Sequence, residues 1–145
     1  MPSNNYSSGI LEIQRQNINF VTDDIRALVV TDTFVFNKAH QFVSQITGEV
    51  SGTGYSRPVL ANKAIDLNVG TPDAVEFKAD NLPFTAINVS PDDLVSVVIF
   101  KQVTNDADSQ LLAVVDFPNI STNGNNITIE FPSRVVFKAT NPIVV

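Results

Sequence analysis

The sequence predicts an all-β domain: an antiparallel β-sandwich or barrel with one short helix. Three observations lead there. Val, Ile, Phe, Thr and Asn are used heavily, and ten phenylalanines with no tryptophan supply the large apolar side chains, a composition that suits pleated, half-buried backbone. Apolar residues recur at every second position in short runs, the strand period. Pro, Gly, Asn, Asp and Ser clusters separate those runs at intervals of roughly ten residues, giving about seven to nine short strands.

The elements follow in order. Residues 1–17 are polar and weakly periodic, and read as an N-terminal arm or loosely held first strand; residues 18–145 read as a single β-rich domain. Ile25 to Thr31 is the first clear strand, with Ile25, Ala27 and Val29 alternating against Arg26, Leu28 and Val30. Both of its faces are largely apolar, which marks an inner strand. His40 to Ile46 is the helical candidate, because Phe42 and Ile46 stand four apart and Gly48 follows as a terminator. Val59 to Ile65 reads as a strand. Pro72-Asp73 is a turn, and Ala74 to Ala79 alternates Val75, Phe77 and Ala79 with charged neighbours, one face in and one in water. Pro83 breaks that run. A short segment through Phe84, Ala86 and Ile87 ends at Ser90-Pro91-Asp92-Asp93. Leu94 to Val103 and Leu111 to Phe117 form a hairpin around the polar Asn105–Ser109 loop. Ile127 to Phe131 and Val135 to Phe137 close the domain.

Composition excludes several functions. With no cysteine, disulfides, thiol catalysis and cysteine-based metal sites are ruled out. A net charge of −6 and nine scattered basic residues oppose binding to a phosphate backbone, so no nucleic-acid partner is expected. No apolar run is long enough to cross a bilayer as a helix, and the first residues lack the pattern of a signal peptide. The triplets at Asn88, Asn119 and Asn126 match a glycosylation pattern by chance in an Asn-rich chain.

No catalytic set assembles from the residue pattern. His40 is the only histidine, and no Gly-x-Ser-x-Gly elbow accompanies it. The pairs Asp23-Asp24 and Asp92-Asp93 place neighbours on opposite faces of a strand or within a turn, unlike two carboxylates facing across a substrate. Asn105, Asp106 and Asp108 read as a solvated hairpin tip, with a cation site as the alternative, because the glycine and distal glutamate of an EF-hand loop are missing. Gly52-Thr53-Gly54, followed by Tyr55, lacks the lysine and helix of a phosphate loop and reads as a tight structural loop built on Gly52, Gly54 and Tyr55. The chain is therefore expected to be no enzyme and to need no cofactor or metal. The interaction candidates are Tyr6, Ile10, Leu11 and Ile13 in the arm, against the alternative of a frayed terminus, and the apolar tail Pro142-Ile143-Val144-Val145.

Several segments then line up as a set: Asp24-Ile-Arg-Ala-Leu28; Glu49-Val-Ser-Gly-Thr-Gly-Tyr55 with Leu60 and Lys63 after it; Phe77-Lys-Ala-Asp-Asn81; Val97-Val-Ile-Phe-Lys101; Leu111-Leu-Ala-Val-Val-Asp-Phe117; and Asn123-Gly124 with Ile127-Thr-Ile129. In order and spacing the set resembles a family of small structural proteins of tailed bacteriophages, over roughly residues 18–140. The chain departs from that pattern at Arg57-Pro58, where small residues are usual, at Phe84, where tryptophan is common, and at Phe100, where tyrosine is common. The resemblance implies a virion structural protein made in the host cytoplasm, most simply a capsid decoration (cement) protein on the outer capsid surface. Its implied partners are the major capsid protein and further copies of itself, as a trimer or dimer. A tail, neck or fibre-associated component is the alternative within the virion, and a carbohydrate-binding β-sandwich module the alternative outside it.

Overall fold

The computed structural model describes residues 3–68, 74–90 and 93–140. The expected turns at Pro72-Asp73 and Pro91-Asp92 and the tail Pro142–Val145 lie outside the described residues. The described chain is mostly strand, and its three antiparallel sheets do not close into a barrel. The sandwich alternative is the one adopted, with one short α-helix.

The central layer is four-stranded, in the order β1 (Ser3–Asn5), β8 (Leu111–Ser121), β7 (Asp93–Lys101) and β2 (Ile25–Val30). Two three-stranded sheets pack on one of its faces. One has the order β10 (Val135–Thr140), β5 (Ala74–Lys78), β4 (Ala64–Leu67); the other has β3 (Ser51–Thr53), β6 (Leu82–Ser90), β9 (Asn125–Ile129). The main core lies between these layers. β2 contributes Ile25, Ala27 and Val29, β7 contributes Val97 and Ile99, and the smaller sheets contribute Phe77, Leu82, Ile87, Ile129 and Phe137. Phe77 and Phe137 stack at 4.3 Å between centroids, and Phe20 stands edge-on to both. Phenylalanine thus fills the space a tryptophan would otherwise occupy.

The opposite face of the central sheet is also buried. Leu28, Val30, Val98, Phe100, Leu111 and Val114 form a second cluster beneath Val43 and the half-buried Phe34, Phe36 and Ile46. This explains the two-sided apolar pattern of β2. Its outer edge is covered as well: Val50 N–H donates to Val29, and Leu60 N–H donates to Ile25.

Four expectations are corrected. The helix is α1, Ser7–Gln14, not His40–Ile46. The latter segment holds only a 3₁₀ turn, Val43–Gln45, because Phe42 bridges to Gln110 in extended form and the Gln45 side chain takes the Gln41 and Phe42 N–H groups. Second, Val59 to Ile65 is not one strand. Residues 58–60 run along β2, Asn62 turns the chain at φ +52°, and β4 then joins β5. Third, Pro83 lies inside β6 rather than breaking it, opposite Thr128. β3 flanks β6 only at Asn88–Ser90, so at Pro83 a single neighbouring strand has to be matched.

The N-terminal segment is not a loose arm. β1 pairs with β8 (Ser3 opposite Val115, Asn5 opposite Ala113). Tyr6 is fully buried in the second cluster, 5.0 Å from the Phe36 ring. Gly9 sits where a Cβ would lie 2.1 Å from the Leu111 carbonyl oxygen, so the absence of a side chain lets α1 rest directly on β8. No described helix is long and apolar enough to cross a membrane.

Candidate functional site

Around the loop that the sequence singles out, the structure joins Glu49, Tyr55, Arg57 and Asp106 in one polar cluster. Gly52 (φ +148°) and Gly54 (φ +79°) lie in the region open chiefly to glycine. Their backbone presses on β6: a Cβ on Gly54 would lie 2.7 Å from the Thr85 oxygen, 2.8 Å from the Ala86 oxygen and 2.9 Å from the Ile87 Cα. β6 makes room with a bulge, where Ala86 itself takes φ +49° and its N–H donates to the Asn126 side chain.

That approach aims Tyr55 inward. Its ring stacks on Phe84 at 6.2 Å. Its hydroxyl accepts from Val29 N–H at 3.1 Å and donates to Glu49 Oε2 at 2.7 Å. Burial, reinforced by the bond to Glu49, holds the phenol well above its ordinary pKa, so it stays protonated as a donor.

Arg57 completes the site. Its Nε and Nη2 donate to the two Glu49 oxygens, both at 2.8 Å, while Nη1 and Nη2 donate to Asp106 at 2.8 and 3.1 Å. The guanidinium lies 5.5 Å over the Phe100 ring. One cation therefore ties the Glu49–Arg57 loop to the tip of the β7–β8 hairpin in fork geometry. Arg57 in turn holds the Asp106 carboxyl below its usual range through those hydrogen bonds.

The clamp thus brings Arg57 over Phe100 of the second cluster and against Asp106, while Tyr55 lies on Phe84 of the main core. Their meeting was not legible in the sequence, since Arg57 and Asp106 are 49 residues apart. The unusual Arg57-Pro58 was the one signal that could have drawn attention to it.

Chemically this is a clamp. Both Asp106 oxygens are occupied by Arg57, which opposes the alternative of a cation site at Asp106 and Asp108. Among the described residues no group of three or more His, Asp or Glu is placed to hold a metal ion. Asp23 accepts from Asn19 N–H and pairs with Lys101, and Asp24 pairs with Arg26. Of the arm residues singled out earlier, Tyr6 is core, Ile10 and Ile13 pack half-buried against the main core, and Leu11 alone is substantially exposed, at 43%. Tyr6, Ile10 and Ile13 therefore pack within the fold, and of the four only Leu11 presents a largely exposed side chain.

The clamp yields a prediction. Arg57→Lys is expected to lower stability by about 1–2 kcal/mol, because one ammonium cannot reproduce two forked contacts. The sign with pH follows from Asp106. A carboxylate with a depressed folded pKa stabilises the fold above its unfolded value of about 3.9, and that contribution is lost as pH falls through the lower folded value. Denaturant titrations from pH 7 downward should show the variant and parent differing at neutral pH and the difference narrowing once pH falls below the unfolded value and through the lowered folded one. A difference that stays constant down to acid in which carboxylates are fully protonated would place the effect of Arg57 elsewhere.

No family model, curated protein or solved structure gives a significant match to this chain.

Proposed function

We propose that this chain is a virion structural protein of a tailed bacteriophage, and specifically a capsid decoration protein that binds the outer shell and stabilises it. The observation that carries the reading is where the family-like segments fall. Asp24–Leu28 enters β2, Glu49–Tyr55 is the clamped loop, Phe77–Asn81 ends β5, and Val97–Lys101 with Leu111–Phe117 is the central hairpin. The resemblance thus tracks the load-carrying framework rather than scattered surface positions.

The physical character fits a cement role. A central sheet buried on both faces makes a stiff plate. The net charge of −6 favours solubility before attachment. Copies repeated around a symmetric shell convert modest contacts into strong collective attachment. The carbohydrate-binding alternative depends on exposed aromatic platforms, whereas Tyr6 is buried and Tyr55 is committed to the clamp.

The test is sedimentation of the purified chain with phage heads that lack it and, separately, with detached tails. Co-sedimentation with heads alone supports the decoration role. Binding to tails would replace it with the tail-component reading, and binding to neither would remove the virion reading.

A further inference from the structure

A seam in the sandwich has no strand in it. β8 is paired by β1 only as far as Val115, so its edge from Asp116 to Ser121 on that side has no partner strand among the described residues. β9 pairs with β6 alone. The two unpaired edges face each other across a groove of about 240 Å³. Its apolar lining is the half-buried Phe117 and Ile120 and the buried Ile129; Thr128 and Glu130 form the rim. The volume falls below the ~300–1,000 Å³ usual for drug-sized ligands. Exposed strand edges beside core side chains suit an extended peptide that adds backbone hydrogen bonds and inserts alternate side chains.

The occupant follows from chain reach. We propose that the groove takes residues 142–145, Pro-Ile-Val-Val, of a second copy of this chain, joining copies head to tail. These residues are apolar and β-branched, suited to a buried strand, and Pro142 favours an extended entry. The chain's own tail is excluded by distance. Pro132, just ahead of β10, lines the groove, and β10 leads away from it. The Lys138 carbonyl meets the Asn5 side chain, and Asn5 stands opposite Ala113. Thr140 therefore lies beyond the level of Ala113, about 20–30 Å along the strand direction from Phe117–Ile120 at ~3.3 Å per residue. Residues 141–145 span at most about 17 Å. A neighbour's tail has no such limit, and a heterologous contact of this kind closes into a ring when its rotation permits. The inference concerns self-association and stands independently of what surface the assembly binds.

The test is the mass in solution of three forms by analytical ultracentrifugation: the full chain, a chain ending at Thr140, and Ile120→Lys. The full chain should be oligomeric and the other two monomeric. Each defective form keeps the half that the other lacks, so mixing them should give a one-to-one complex. If Ile120→Lys fails to fold, a peptide of residues 141–145 titrated into the chain ending at Thr140 serves instead, with saturable NMR shifts expected at Thr128 and Glu130. A monomeric full chain, or an oligomer unaltered by removal of 141–145, would overturn the proposal, as would a peptide that leaves those signals unmoved.

Discussion

Gly54→Val is expected to abolish folding or to lower Tm by about 10 °C or more. Two costs combine. At φ +79° a β-branched residue is strongly disfavoured. The new side chain would also start inside contact distance of Thr85, Ala86 and Ile87 backbone atoms, which belong to β6 and cannot swing aside like a flexible side chain. Relief requires lifting the loop off β6, and that withdraws Tyr55 from Phe84 and Glu49 from Arg57. Gly124→Val separates the two costs. Gly124 has φ +87°, and a Cβ there meets nothing within 4 Å, so its cost should be near 1–2 kcal/mol of backbone strain. Thermal melts of both variants decide the point. Equal losses at the two glycines would mean that close approach to β6 contributes nothing.

Removal of residues 1–17 is expected to leave no cooperatively folded domain. The truncation takes away β1 from the edge of β8, Tyr6 from the second cluster, and Ile10 and Ile13 from the main core. Loss of one buried aromatic side chain costs about 3–5 kcal/mol, a large share of the ~5–15 kcal/mol that holds a typical domain. Leu111, Leu112 and Val114, each almost fully buried in the intact chain, would lose cover at once. Near-ultraviolet circular dichroism and a denaturant melt of the truncated chain provide the check. A truncated chain with the parent's Tm would return residues 1–17 to the status of a dispensable arm.

That reversal shows where sequence reasoning stopped. Alternation located β2, β5, β7, β8 and β9 because a half-buried strand writes its period directly into the chain. The Gly52–Gly54 loop was legible for a similar reason: its backbone conformation admits little besides glycine. α1 was hidden because Ser7, Ser8 and Gly9 are weak helix formers, and Gly9 is there to touch β8 rather than to promote a helix. Tyr6 looked like an exposed aromatic in a polar stretch. Its burial depends on β8 and on Phe36, far away in sequence. Phe42 and Ile46 imitated a helical face, yet Phe42 is half-buried in an extended bridge to Gln110 and Ile46 packs on the second cluster. The Arg57 clamp left little local pattern, since its partner Asp106 lies 49 residues away in sequence.

The clamp and the seam divide the molecule by task. The clamp locks the loop to the hairpin and spends its charges internally, so it offers a partner little free chemistry. The seam and the exposed Leu11 of α1 keep apolar surface available on a stiff body.

Attachment to a capsid exterior is the proposal that electron cryomicroscopy can decide, using phage heads prepared without the protein and then mixed with it. Ordered added density is expected at repeated positions on the outer shell, into which the sandwich fits. Bare heads at saturating protein, or density confined to the tail, would contradict it.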